Sequence, residues 1–210
     1  MAKRTRPTSG TPTARAKNSD AHAVFADARI LVGVTGGIAA YKTAMLVSRL
    51  AQAGAKVTVA MTPAATRFVT PLTFQALSGR PVYTSAWEHV ESHDPQHIAT
   101  AGSLDAAIVA PCSMDTLSRL ACGRADDVVT LILSAVDRSR TPVLLAPAMN
   151  AVMWAQPATQ RNVETLASDG FTMVGPADGW QACRTVGVGR MEEPEALLAA
   201  LAQALAAARR

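Results

Sequence analysis

Short apolar runs of strand length alternate along this chain with segments whose apolar positions recur every three to four residues. Ile30 to Val34 is a run rich in branched residues that meets Thr35-Gly36-Gly37 and gives way to a helical pattern through about Ala53, with Lys42, Arg49 and Gln52 on one polar face. Lys56 to Met61 alternates as a strand. Thr62-Pro63, a capping residue before a proline at the first helical position, then predicts a helix running towards Leu77. Gly79 to Thr100 carries the weakest signal. Ala106 to Ala110 is a strand expected to stop at Pro111, and a helix starts at Ser113, a sound cap. Asp126-Asp127 opens a helix from Val128 to Val136. Val143 to Ala146 is an apolar strand that stops at Pro147, which has no amide donor and resists continuing a central strand. Ala151 to Ala167 reads as a helix ended near Gly170, and Phe171 to Val174 as a short strand. Gly175 to Gly189 holds four glycines and is expected as a loop. Glu192-Glu193-Pro194 opens a last helix through Leu197, Leu201 and Leu205, with acids at its start and Arg209 and Arg210 at its end, as the helix dipole favours.

Five or six strands interleaved with helices predict an α/β fold, a single Rossmann-like (flavodoxin-like) domain with a parallel sheet and helices on both faces. Three strands end in a glycine turn or a proline followed by polar residues. Open parallel sheets place their ligand crevice at that carboxyl edge.

The 210 residues are 49% hydrophobic, enough for one substantial core, assigned to residues 28–210. The net charge of +4 points to nucleic acid only until it is located. Lys3, Arg4, Arg6, Arg15 and Lys17 against Asp20 make five minus one, the whole excess, and the rest of the chain is neutral. Residues 1–27 are expected as a disordered basic tail. No apolar run approaches the roughly 18 residues of a membrane span, and no secretory signal is evident, so neither membrane nor nucleic acid is an expected partner. Cys112, Cys122 and Cys183 form no CxxC pair and leave an odd thiol, which fits a reducing cytoplasm. His89, His93 and His97 stand four apart, but Pro95 interrupts the helix that would align them, so no metal site is expected.

Glycines at a strand-to-helix turn let backbone amides approach an anion, and the helix end adds partial positive charge, so a phosphate could sit on Gly36, Gly37 and Ile38. The turn is neither a P-loop nor GxGxxG, and it serves tight packing equally well. Asn150 lies just past the turn after Val143 to Ala146, where its amide could hold a carboxylate or simply cap the next helix. Cys183 sits in the glycine-rich segment, a poor place to bury a thiol.

Pro147 to Trp154, PAMNAVMW, resembles the PxMNxxMW signature of the homo-oligomeric flavin-containing cysteine decarboxylases, which include phosphopantothenoylcysteine decarboxylase and the decarboxylases of lantibiotic-type peptides. The resemblance extends over roughly residues 29–194. Gly36 to Lys42, GGIAAYK, is similar to the family's opening motif, and His97-Ile98 to its His-Ile element. Pro111 to Thr116 resembles PxSANT with Met114 for Ala and Asp115 for Asn. Arg124 to Asp127 resembles the downstream G-x-A-D-D-L element. Ala182-Cys183-Arg184 resembles Ala-Cys-Gly with Arg in the last place.

The resemblance implies FMN, with its phosphate on Gly36, Gly37 and Ile38, and with Thr62, Ser113, Met114, Asp115, Thr116 and Ala148 along the cofactor. An ionised Asp115 cannot donate the hydrogen bonds of an amide. His97 becomes the base or carboxylate-orienting residue. Asn150 and Met153 become substrate contacts, and Cys183 belongs to a loop that closes over the substrate. A homotrimer or a dodecamer of trimers is implied, with flavin between subunits. The chemistry is oxidation of the cysteine to a thioaldehyde, which accepts the electrons released by decarboxylation and leaves an enethiol. Two substrates fit: phosphopantothenoylcysteine, for which Cys183 would protonate the enethiol, or a peptide with a C-terminal cysteine, for which the enethiol is the product. The departures at Met114, Asp115 and Arg184, and the expectation that the chain stands alone without a fused synthetase domain, lean towards the peptide. A catalytically silent flavin-binding regulatory subunit is a third expectation. PAMNxxMW argues against the related flavin prenyltransferases.

Overall fold

Strands buried on both faces read as continuous apolar runs, and that is how the main sheet is built. The computed structural model describes residues 23–88 and 96–209. In it β1 (Arg29–Val34), β2 (Lys56–Met61), β3 (Val82–Tyr83), β4 (Ala106–Cys112), β5 (Val143–Pro147) and β6 (Thr172–Met173) form one parallel sheet in the order β3-β2-β1-β4-β5-β6. Every residue of β4 and β5 is buried. The helices are α1 (Ala40–Gln52), α2 (Pro71–Ser78), α3 (Gln96–Ser103), α4 (Met114–Ala121), α5 (Val128–Ser134), α6 (Ala151–Trp154), α7 (Pro157–Ser168) and α8 (Pro194–Ala208). One face of the sheet packs Leu46 and Leu50 of α1, Phe74 of α2 and Leu197, Leu201 and Leu205 of α8. The other packs Ala101 of α3, Leu117 of α4, Ile132 and Leu133 of α5 and Leu166 of α7. The expected α/β fold with helices on both faces is the fold observed, and no described helix is long and apolar enough to cross a membrane.

Several boundaries differ from the expected ones. Phe25 is buried in the same cluster as Leu50 and Leu205, and Asp27 N–H donates to the Gly54 carbonyl at 3.0 Å, so residues 23–27 belong to the folded unit and not to the expected tail. β4 continues through Pro111 to Cys112, because a register irregularity between Val109 and Cys112 relieves the pairing a proline cannot make. The helix expected from Thr62 to Leu77 is split into a 3-10 turn, Ala65–Arg67, and α2. Thr70 ahead of Pro71 is extended (ψ 150°), as a residue before proline prefers to be. Gln156 ahead of Pro157 divides the next expected helix into α6 and α7 in the same way.

The largest correction is the glycine-rich segment. It is an antiparallel hairpin of β7 (Ala177–Trp180) and β8 (Val186–Arg190), outside the main sheet, with Trp180 opposite Val186 and Gly179 opposite Gly187. Its base returns to the main body where Met149 N–H donates to the Gly189 carbonyl at 2.9 Å. His89, His93, Pro95 and residues 1–22 lie outside the described residues.

Candidate active site

Because β1, β2, β4 and β5 are parallel, the segments that follow them line one edge of the sheet, and these segments carry most of the candidate residues. Thr35, fully buried, holds two of them together: its hydroxyl donates to the Pro111 carbonyl at 2.7 Å and accepts from Ser113 N–H at 3.0 Å. Thr43 of α1 donates to the neighbouring Ala110 carbonyl at 2.6 Å. Gly36 has a packing reason, since a Cβ there would stand 2.6 Å from Ala64 Cβ, whereas at Gly37 the nearest atom is Pro111 Cγ at an ordinary 3.7 Å. Among the described residues the amides of Gly36, Gly37 and Ile38 have no hydrogen-bond acceptor, and α1 starts at Ala39 without a side-chain cap. Thr62, after β2, uses its hydroxyl oxygen to accept Ala65 N–H at 3.2 Å, and among the described residues its hydrogen has no acceptor.

The next element is α4. Ser113 caps it, accepting Thr116 N–H at 3.2 Å with the Thr116 hydroxyl 3.1 Å away. Met114 is half-buried. Asp115 is exposed, and its carboxylate accepts from Arg119 Nε at 2.9 Å one turn along the helix. Arg119 also binds Asp126 and lies 3.9 Å from Asp127. The Arg119 hydrogen bond, with Arg124 beside it, holds Asp126 below the usual carboxylate range. Asp127 caps α5 by accepting Val129 N–H and Thr130 N–H at 2.9 and 3.0 Å, which is the helix-starting role expected of this element.

The densest constellation joins the turn after β5 to the tip of the hairpin. Asn150 does both things its position allowed. Its Oδ1 accepts Val152 N–H at 2.8 Å, capping α6, while Nδ2 donates to Cys183 Sγ at 3.0 Å. The two partners assign the amide orientation, because an N–H needs the oxygen and the sulfur is left facing the NH2. Cys183 is exposed and 3.0 Å from Thr185 Oγ1. Hydrogen bonds from Thr185 first, and then from Asn150, hold its thiol below the usual cysteine value by favouring the thiolate. Cys112, by contrast, is pushed far up by complete burial and is chemically inert. Met153 is 42% exposed on α6 beside this group, and Ala148 N–H is fixed on the Cys112 carbonyl at 3.0 Å. Arg184 sits at the hairpin turn with φ 66°, in the left-handed region that favours glycine.

His97 is separate. It lies half-buried in the first turn of α3, on the sheet face that carries α5, and among the described residues no hydrogen bond joins it to Asn150 or Cys183. A cleft of about 830 Å3 lined by Asp105, Arg138, Arg140 and Arg209 opens at the opposite edge of the sheet and contains none of the candidate residues.

A family model described as Flavoprotein matches residues 21–206. The chain belongs to this flavoprotein family. It is 47% identical over 172 residues to the coenzyme A biosynthesis bifunctional protein CoaBC of Haemophilus influenzae, covering 82% of this chain and 42% of that protein. The protein of the same name from Bacillus subtilis is also 47% identical, over 79% of this chain and 40% of the relative. The chain thus spans about two fifths of the curated relatives it matches. Among solved structures it resembles the FMN-dependent cysteine decarboxylase SpaF, with TM-score 0.74 and 29% identity over 89% of this chain and 99% of that one. A cysteine-to-serine mutant of PPC decarboxylase complexed with pantothenoylaminoethenethiol matches with TM-score 0.74 and 28% identity, over 83% and 96% of the two chains.

The site of this flavoprotein fits a phosphorylated cofactor on its own geometry. Three open amides at an uncapped helix start suit an anion, and the Thr62, Ser113 and Thr116 hydroxyls lie along the same edge. Asp115 is the exception, since its carboxylate is already engaged by Arg119 on the exposed side of α4. Two residues of the site escape a reading of the sequence. Gln181, whose amide spans the hairpin and α6, and Thr185, which faces the thiol, are isolated polar residues whose roles exist only once the hairpin is folded.

Proposed function

We propose that this flavoprotein catalyses the FMN-dependent decarboxylation of phosphopantothenoylcysteine, with Cys183 as the acid that completes the reaction. The observation that carries this reading is the Cys183 thiol held at 3.0 Å on the Asn150 amide at the ligand edge of the sheet. An enzyme whose product is the enethiol needs no such acid. The coenzyme A biosynthesis relatives at 47% identity favour phosphopantothenoylcysteine over the peptide cysteine towards which three sequence departures lean. Two of the three departures also lose their weight. Asp115 is answered by Arg119, and Arg184 keeps the left-handed backbone that a glycine would adopt.

Bound FMN would supply the two-electron sink that lets the cysteine carboxylate leave as carbon dioxide, and would return the electron pair afterwards. The open amides of Gly36, Gly37 and Ile38 would hold its phosphate, with Thr62, Ser113, Thr116, Met114 and Ala148 along it. Asn150 has one Nδ2 hydrogen on Cys183 and a second free for the substrate carboxylate or amide. Cys183 delivers its proton to the carbon that lost carbon dioxide, and being exposed it regains one from water. The Thr185 hydroxyl can accept from the thiol or donate to the thiolate, so it serves both states. Met153 lines the same opening.

His97 orients the substrate carboxylate, or acts as a base towards another proton of the substrate, in an assembly where it reaches another copy's Asn150. A homotrimer, or a dodecamer of trimers, is the form proposed. Ile38 in the turn before α1, Tyr41 and Met45 on α1, and Phe68 and Leu72 are exposed apolar residues that a second copy would cover. The cytoplasm, where free thiols persist, is the proposed compartment. Incubating the flavin-loaded protein separately with phosphopantothenoylcysteine and with a peptide ending in cysteine tests the reading. Phosphopantetheine is the expected product by mass spectrometry, and turnover of the peptide alone would overturn the assignment.

A further inference from the structure

Gln181 is buried, while Cys183, Arg184 and Thr185 beside it are exposed. Its side chain is bonded at both ends: Oε1 accepts Ala151 N–H at 3.1 Å, and Nε2 donates to the Gly187 carbonyl at 3.0 Å. Flipping the amide would break both bonds, so its orientation is determined. Its backbone closes the hairpin tip as well, with Gln181 N–H on the Thr185 carbonyl at 2.8 Å and Arg184 N–H on the Gln181 carbonyl at 2.9 Å. Ala151 and Val152 offer consecutive amides at the start of α6, and these are taken by Gln181 and Asn150 respectively. One helix end therefore holds both the residue that carries the thiol's turn and the amide that meets the thiol.

We infer that Gln181 is a positioning residue that sets the Asn150–Cys183 pair by clamping the hairpin tip to the first turn of α6. Thr185 shares in the same clamp, its hydroxyl standing 3.4 Å from Gln181 Oε1 and 3.0 Å from Cys183 Sγ. The significance of the pair rests on the proposed role of Cys183 as acid, but the clamp itself can be read without any substrate. Gln181→Met keeps approximate volume and removes both hydrogen bonds. Gln181→Glu keeps the acceptor for Ala151 N–H, loses the donor to Gly187 and puts a carboxylate where Gln181 Oε1 already accepts from Cys183 Sγ at 3.7 Å.

The test is iodoacetamide alkylation of flavin-loaded protein across a pH series, resolved by peptide mass spectrometry because Cys122 is also exposed, together with kcat and KM for phosphopantothenoylcysteine. In Gln181→Met the alkylation midpoint of Cys183 should rise towards that of an unassisted thiol, and kcat should fall about tenfold or more with KM within about threefold. Gln181→Glu should place the midpoint higher still. A merely structural role would lower thermal stability and leave the alkylation midpoint in place, and that outcome overturns the inference. Should Gln181→Met not fold, a parent-like alkylation profile in Gln181→Glu overturns it equally. Alkylation needs no substrate, so a shifted midpoint in a protein inert towards phosphopantothenoylcysteine would support the clamp while removing the substrate reading.

Discussion

Gly189→Ala should disable the site without unfolding the protein. Gly189 has φ 149°, and a Cβ there would overlap the Met149 carbonyl oxygen and stand 2.9 Å from Gln181 Nε2. Holding alanine in a conformation essentially reserved for glycine costs about 1–3 kcal/mol, and forcing a methyl into a packed contact adds about as much again. The hairpin is attached here by Met149 N–H on Gly189, Ala151 N–H on Gln181 and Asn150 on Cys183, three bonds worth about 0.5–1.5 kcal/mol each. Strain and attachment are of similar size, so the hairpin should swing away before the domain yields. None of the residues of β7 or β8 belongs to either core cluster. Thermal unfolding should therefore stay a single transition, its midpoint lowered by no more than the lost attachment allows, about 3–18 °C at about 2–4 °C per kcal/mol in a domain of this size. Turnover should fall about tenfold or more as the acid leaves Asn150. Calorimetry, turnover assays and the pH profile of Cys183 alkylation measure these effects. Parent turnover with a parent alkylation profile would refute the reasoning.

Thr185→Val removes the leading stabiliser of the Cys183 thiolate, so the thiol stays protonated to higher pH and the basic limb of the rate profile should move up; a limb that moves down or stays in place contradicts the acid role. Asp115→Asn breaks an exposed ion pair worth about 0–1 kcal/mol, and FMN affinity measured by fluorescence quenching should change by less than about fivefold. A larger gain would mean that Asp115 does face the cofactor. Arg184→Gly relieves a left-handed backbone and should leave kcat unchanged without lowering Tm, checked by steady-state kinetics and thermal unfolding. A fall in kcat would assign the guanidinium a substrate contact.

The sheet edge was legible in the sequence because the glycine turn after β1 and the prolines near the ends of β4 and β5 are local signals, although both strands run through their proline rather than stopping before it. Asn150 was legible as either a helix cap or a ligand residue, and the folded chain uses one end of its amide for each purpose. The hairpin was not legible. Gly187 is needed where Ala151 Cβ approaches and Gly189 where the Met149 carbonyl does, so packing against α6 erased the alternation that marks a strand. The breaks at Pro71 and Pro157 were visible in principle, but apolar periodicity continued across both and suggested unbroken helices. Gln181 had no signature at all, since a single glutamine in a glycine-rich stretch looks solvated until its two hydrogen bonds are seen.

The most direct test is the product formed by Cys183→Ser, flavin-loaded and given phosphopantothenoylcysteine. The parent should release carbon dioxide and yield the saturated thiol. Serine keeps the size of the side chain, but an alcohol is far too weak an acid to replace a thiol with a reference pKa of about 8.5. The variant should therefore lose carbon dioxide and stop at the enethiol, seen by mass spectrometry as a product lacking two further hydrogens, with the flavin left reduced. Saturated thiol at the parent rate from Cys183→Ser, or enethiol as the end product of the parent itself, would contradict the account.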